Sequence, residues 1–471
     1  MKLLKAKTHI LVPLQLERFG LIYTRLFVVL LIAFGGGTRQ GSLSDVLVEL
    51  ASLPLLFWAV ASIKVSQLSR CQEVSIACIC AILAVPLIQL VPLPPSLWVD
   101  LPGREIAVNT YSATKTALPW LGISLDPIAT WQSFLSLLPA TALFLTTISF
   151  TSNERRLLIK TALIVVAISI PLDLMQQMGG PTSPFRFFVF TNPDRAVGFF
   201  ANANHNAALL YSCIPFITLF AVQSALAGRR VSVFIAGAFF FAVFLGLAST
   251  HSRAGLALGF VASAFSSVMV YRLAPPMLRS RMLKYGIMVN LLALFVAFQF
   301  GFSSLSQRVE HEDLLQNIRW PIAQVTFEAA KDFSPFGSGL GTFQPVYERY
   351  APSTLAMPEY VNHAHNDWLE LLLEVGVPGF AVIAASLLVY LWICIRVWFL
   401  NSEHEISERM LAQAGSIVVS LLLVHSVLDY PLRTICMSSL MALSWSCMLT
   451  LGTPEPRKCR EFGRPAPDPA K

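Results

Sequence analysis

Runs of about twenty predominantly apolar residues recur from residue 21 to residue 451, and no other feature restricts the fold as much. In hydrocarbon each backbone N–H and C=O must find its partner within the segment, so a run of this length has one regular solution, a membrane-crossing α-helix. Twelve spans are predicted, near 21–36, 44–63, 74–93, 130–149, 157–175, 206–226, 231–250, 254–272, 284–302, 377–398, 410–428 and 434–451. Each is about as long as a hydrocarbon core of roughly 30 Å requires at 1.5 Å per residue. Composition agrees: 13% of the 471 residues are charged and 55% are hydrophobic, whereas soluble domains carry about 25% charged residues. The fold class is an all-α polytopic membrane protein.

The formal charge of +7 does not point to a nucleic-acid partner. Arg155-Arg156, Arg229-Arg230, Arg279/Arg281/Lys284 and Arg457-Lys458 fall in alternate short loops, the positive-inside pattern that reports orientation. An even number of spans with basic residues at both ends puts both termini in the cytoplasm. The eight cysteines lie in apolar spans or on that cytoplasmic side, with no disulfide framework and no CxxC pattern. The opening MKLLKAK lacks a following cleavage site, so the first span reads as an uncleaved anchor.

The outward loops are unequal. Those at 94–129 and 176–205 are long, and 303–376 is the longest; a loop of that size usually has structure and function of its own. Pro321 reads as the first residue of a helix running through IAQVTFEAAKDF, closed by GSGLGTF. PLPPSLWVDLPG in the 94–129 loop suggests a segment at the membrane interface. The tail at 452–471 is charged and Pro-rich, with the composition of a disordered segment.

Chemistry concentrates at VNHAHNDWLELLLEVGVPG, residues 361–379. On a helix beginning near His365, Trp368, Leu369 and Leu372 share the histidine's face, and Asp367, Glu370 and Glu374 gather on the other. Gly376 reads as a C-cap and Pro378 as a stop. The i+4 partner that a zinc-binding helix requires is Leu369, which argues against a metal site built on His363 and His365. A bland alternative is that His365 and Asn366 only cap a helix at the membrane surface.

Two outward arginines weigh against the bland alternative. Arg195 stands in DRAVGFFANANHNAALL, and Arg253 in ASTHSRAGLALGF, nearly embedded between apolar runs. A guanidinium at such depth is costly unless paired, and its planar fork suits phosphate. Snorkelling to headgroups is the structural alternative. Arg319 in QNIRWP reads as a third cation or an interfacial arginine. HSVLDYPLR sets His425 and Asp429 at i, i+4, where they can pair, with Arg433 beyond. His205 in NANHNA reads as a helix-start residue.

These segments resemble those of the O-antigen ligases. HN, nine residues, then GVPG (365–379) fits that family's pattern His-[Asn/Ser/Gln]-x9-Gly-x-x-[Gly/Thr/Tyr]. RAVGFFANAN and STHSRAG resemble the arginine segments of the same superfamily, which also contains polysaccharide polymerases. QNIRWP through HAHNDWLELLLEVG, followed by HSVLDYPL, resembles its carboxyl-terminal region. The likeness covers roughly 190–440, leaving 1–189 as preceding transmembrane helices. It implies a C-type membrane glycosyltransferase fold in the bacterial inner membrane, with its active site facing the periplasm. The implied donor is an undecaprenyl-diphosphate-linked glycan, the acceptor lipid A-core or another glycan, with membrane lipids around it and no cofactor or metal. Carried over, Arg195 and Arg253 bind pyrophosphate and His365 acts on the acceptor hydroxyl. Asn366 orients the imidazole or binds sugar, and Arg319 adds a phosphate or sugar contact; His363 and Asp429 stand as supporting residues.

O-antigen ligase is the favoured expectation. The alternative is an O-antigen or exopolysaccharide polymerase using the same donor type. More remote is a transporter or lipid flippase, for which repeats and midplane helix breaks are expected but not evident here.

Overall fold

The computed structural model describes residues 14–452 apart from 40, 309–311, 356–360 and 401–403, and side chains are not described at 14–17, 293, 296–308, 312–318, 354 and 452. Seventeen α-helices follow one another among the described residues: α1 Leu14–Phe34, α2 Leu43–Ser62, α3 Arg70–Leu90, α4 Pro95–Trp98, α5 Glu105–Ala113, α6 Pro127–Ser136, α7 Leu138–Ile148, α8 Ser152–Gly179, α9 Ala203–Leu226, α10 Arg230–Ser249, α11 Arg253–Leu273, α12 Pro276–Arg308, α13 Glu312–Asp332, α14 Phe343–Tyr350, α15 Asp367–Ile395, α16 Ile406–His425 and α17 Ile435–Met448. No strand occurs among the described residues; one isolated antiparallel bridge joins Leu93 to Leu121.

A helix covers each of the twelve predicted spans, with α6 and α7 together forming the fourth. Nine of these spans are long and apolar enough to cross a membrane, with α1, α12 and the shorter apolar α17 in addition. This is a multi-pass membrane protein. Local chemistry sets the helix starts. Ser69 with Gln72 and Thr151 with Glu154 form capping boxes, Asp126 caps α6 ahead of Pro127, and Ser252, Asn366 and Thr434 cap α11, α15 and α17.

Helix α9 packs on α10, α11 and α16, and α16 packs on α17. Windows of α9 and α16 are 67% buried, so these two are central, while α3 at 17% and α15 at 22% leave most of their surface outside the protein. Phe57, Ile164, Phe234 and Leu388 are among the large apolar side chains on that outer surface, where lipid rather than water is the solvent.

Arg155, read from sequence as a loop cation, is buried in the first turn of α8. Its guanidinium donates to the carbonyls of Thr147, Ile148 and Ser446 and to Thr450 Oγ1, at 2.7–3.0 Å. It thereby adds hydrogen bonds to carbonyls at the ends of α7 and α17, where a cation is favoured.

Outside the spans, one expectation needs correction. Pro321 lies within α13 rather than at its start, because the helix extends upstream through residues whose own helix propensity suffices. Trp98 is fully buried, with Nε1 donating to Pro119 O at 2.8 Å. The 94–129 loop therefore has a small core of its own. A further cluster of Ile322, Ala329, Phe333, Phe343, Tyr347 and Leu373 fastens α13 and α14 to the start of α15. The tail predicted to be disordered lies, beyond residue 452, outside the described residues.

Candidate active site

Helix α15 starts two residues later than its sequence spacing suggested. Asn366 is the N-cap, with extended backbone and Oδ1 accepting from Leu369 N at 3.0 Å. That oxygen serves the helix rather than an imidazole. His365 stands just outside with φ +52°, in the left-handed region, so it does not head the apolar face. Asparagine is a much better N-cap than histidine, which explains the shift.

The three carboxylates do share a face, as i, i+3, i+7 spacing predicts, and that face is buried. What fills it is Arg433, two residues beyond Pro431 in the turn after α16. Its NH1 lies 2.8 Å from Glu374 Oε2, its NH2 3.4 Å from Glu370 Oε1 and its Nε 3.4 Å from Asp367 Oδ1. Burial opposes the charge on Arg433, but Glu370, Glu374 and Asp367 outweigh it and raise its pKa above the ordinary value. Ser426 adds two bonds to Asp367: its carbonyl accepts from Asp367 N at 2.9 Å and its hydroxyl donates to Oδ2 at 2.7 Å.

Two histidines two residues apart differ sharply in surroundings. His363 Nδ1 is 2.8 Å from Glu370 Oε1 and Nε2 is 3.3 Å from Thr38 O. A carbonyl only accepts, so Nε2 carries a proton, and the Glu370 carboxylate favours one on Nδ1 as well. Burial works against the imidazolium, yet the charge and hydrogen bond of Glu370 raise the His363 pKa above the ordinary histidine value. His363 is thus held with both nitrogens engaged.

His365 Nδ1 instead lies 3.1 Å from Asp429 Oδ1. Asp429 is 1% exposed and also receives Tyr430 N at 3.0 Å, Asn204 Nδ2, and Arg319 NH2 at 3.5 Å. Burial disfavours this carboxylate, but the hydrogen bond and charge of His365, with Arg319, hold its pKa well below the usual carboxylate range. An ionised Asp429 selects the Nδ1–H form of neutral His365 and leaves the lone pair on Nε2. The His365 side chain is 25% exposed, against 7% for His363. Tyr430 packs against His363, His205 and His365 at ring-centroid distances of 4.3, 4.8 and 5.0 Å. Its hydroxyl accepts from Asn202 at 3.3 Å and from Asn362 at 3.5 Å.

Arg319 is half-exposed, and its NH1 also donates to Leu428 O at 3.0 Å, so it braces the 428–429 turn. His425 does not pair with Asp429 through its side chain, as i, i+4 spacing suggested. The helix ends at His425; its Nδ1 lies 3.1 Å from Tyr211 OH, while Asp429 N donates to its carbonyl at 2.9 Å. His205 is fully buried in the first turn of α9.

Arg195 is half-buried in the segment before α9, and its neighbour Ala196 donates through N to Ser249 O at 3.2 Å. That contact sets the segment beside the turn from α10 to α11, where His251 has φ +53° and Arg253 begins α11. Arg253 is exposed on the protein surface, and the cap at Ser252 puts it at the tip of α11. The same 192–204 segment reaches the His365 cluster: Asn192 Oδ1 accepts from Ala203 N at 2.9 Å, and Asn202 and Asn204 contact Tyr430 and Asp429. The arginine segments and His365 therefore lie at the same ends of the central helices.

Gly376 has φ +60° and interrupts α15, as the C-cap reading anticipated. A Cβ there would fall 2.2 Å from Pro335 O, so glycine admits the 335–337 turn, which also accepts Val377 N at 2.7 Å. Tyr430 and Thr38 were not identified as site residues from sequence, and Arg433 was placed beside Asp429 without a role. Only the Gly35-Gly36-Gly37 run hinted at Thr38: a Cβ on Gly36 would fall 2.3 Å from Phe199 O, so the strip threads tightly between the site loops.

Residues 236–384 match the O-antigen ligase family model. That stretch contains Arg253, Arg319, His363, His365 and Asn366 but ends before Asp429, and Arg195 precedes it. No curated protein matches the chain.

Proposed function

We propose that this chain, whose residues 236–384 match the O-antigen ligase family model, transfers a finished O-antigen from undecaprenyl diphosphate to a hydroxyl of lipid A-core. The family indicates ligase- or polymerase-type function, with a lipid-linked glycan donor and a glycan acceptor in a membrane. The finer reading assigns the reaction to the periplasmic face of the bacterial inner membrane, with both termini cytoplasmic.

The His365–Asp429 pair carries this reading. A sugar hydroxyl is a poor nucleophile until its proton is taken. With Nδ1–H directed to Asp429, His365 has a lone pair on Nε2 that can take that proton. As the acceptor oxygen bonds to the anomeric carbon, its proton passes to Nε2 and the carbon–oxygen bond to diphosphate breaks. The diphosphate leaves with the electron pair, and Arg195 and Arg253 hold its charge without need of a metal ion. Attack opposite the leaving group inverts the anomeric centre. Asp429 stabilises the imidazolium that forms, and His363, with both nitrogens engaged, supports the site without exchanging protons.

The test is a substitution that removes the base and keeps the backbone. Asparagine tolerates the left-handed conformation, so His365→Asn should fold normally. It should lose about 10²–10⁴-fold in turnover, the usual worth of a general base, and still bind donor; near-normal turnover would overturn the mechanism. Intact transfer in detergent with impaired donor translocation would instead favour a flippase. A polymerase differs in its acceptor. In a strain lacking the gene, long polymer stranded on undecaprenyl with bare lipid A-core identifies a ligase, and single repeats on core identify a polymerase.

A further inference from the structure

A polar cavity of about 220 Å³ opens beside His363. Thr38, Gln132, Gln344 and Asn362 supply neutral hydrogen-bonding groups to its wall, and Phe343 an aromatic ring. At about 30 Å³ per water it holds roughly seven waters, the space of one sugar ring. Its charges are mixed: Asp126, Glu370 and Glu374 face Arg39 and His363. Glu370 and Glu374 are already paired with His363 and Arg433, which leaves Arg39 and Asp126 as one charge of each sign. The amides of Gln132 and Gln344 beside them match a polyhydroxylated ring better than a pyrophosphate.

Position distinguishes the two sides of the site. Tyr430 lies between them, its hydroxyl accepting from Asn202 on the arginine side and from Asn362 on the cavity side. Its ring packs on both His363, which lines the cavity, and His365. A second cleft of about 480 Å³ shares Asp126 and Pro345 with the first. The remainder of a long ligand can continue into it.

We infer that this cavity is an acceptor subsite, taking a neutral sugar ring of the acceptor beside the one whose hydroxyl reaches His365. The inference rests on the transferase reading above but holds for ligase and polymerase alike. Gln132 and Gln344 serve as probes, since neither is assigned a part in the transfer step. With the purified protein in detergent, lipid-linked glycan at saturation and extracted lipid A-core as the varied acceptor, Gln132→Ala and the exposed-rim variant Gln344→Ala should each raise acceptor KM, by up to about tenfold for a lost hydrogen bond. Donor KM should not move. Gln132→Trp, which fills the cavity, should raise acceptor KM further. An unchanged acceptor KM in the tryptophan variant, or a shift confined to donor KM, overturns the subsite. Absence of transfer by the wild type with both lipid A-core and a second lipid-linked glycan would instead sink the transferase reading, so the two failures are distinct.

Discussion

Arg433→Met is the perturbation with the most calculable outcome. The side chain is 11% exposed and lies within 3.4 Å of three carboxylates that are each 4% exposed or less. Methionine replaces the volume but not the charge. Two of the three contacts lie at 3.4 Å and are weaker than the 2.8 Å bond to Glu374, so the variant loses one good charge-assisted bond and two longer attractions. Breaking a buried ion pair from one side costs about 3–5 kcal/mol, mostly because the abandoned charges remain buried. At about 1.36 kcal/mol per decade, that is two to nearly four decades in the folded-to-unfolded ratio. Thermal unfolding in detergent, followed by the loss of monodisperse protein, reads the effect. The orphaned carboxylates can escape only by taking up protons, so Arg433→Met should recover stability between pH 8 and pH 5. Adding Glu374→Gln should restore part of the loss, because it removes one abandoned charge and leaves the helix face intact. If Arg433→Met unfolds with the wild type at pH 7.5, the cluster contributes no net stability and the reasoning fails.

Asp429→Asn keeps the shape and removes the charge that fixes His365. A charge-assisted hydrogen bond contributes about 1.5–3 kcal/mol, so kcat should fall roughly 10- to 150-fold at unchanged donor KM, measured in the detergent transfer assay. His363→Gln should destabilise most at low pH. The wild-type His363–Glu370 pair contributes fully below the unfolded histidine pKa of about 6.5 and fades as pH rises through the raised folded value; a melting difference that grows with pH would contradict this. Gly376→Ala should cost about 1–3 kcal/mol for its positive φ alone, plus the clash with Pro335 O. Gly286→Ala, with nothing within 4 Å of the added carbon, should be neutral or stabilising in the same melt.

The spans were legible because hydrocarbon leaves one solution for a long apolar run. The site was legible only where partners are close in sequence. Asp367, Glu370 and Glu374 share a face by helical period, and Gly376 by its turn chemistry, so both could be read directly. Arg433 answers those acids from the turn between α16 and α17, and Asp429 meets His365 across 64 positions, which no spacing rule reports. Sequence proximity even suggested the wrong partner, since His425 at i−4 looked closer to Asp429 than His365 did. Arg155 shows the same limit: a basic residue in a short loop reads as orientation, whereas folding makes it the cap of two helices far apart in the chain.

The backbone around His365 suggests why the two histidines stand so close together. A reacting group must hold its position to a fraction of an ångström, yet a base that meets an incoming sugar cannot itself be packed on all sides. Here the position is fixed from the flanks. His363 is held by Glu370 and Thr38, Ala364 N donates to Glu370 Oε2 at 2.7 Å, and Asn366 is locked as the cap of α15. Between these anchors His365 has left-handed φ, a conformation costing roughly 1–3 kcal/mol that persists only when its surroundings over-determine it. The buried carboxylate–arginine layer below supplies that over-determination, and it leaves the imidazole above it both fixed and partly open.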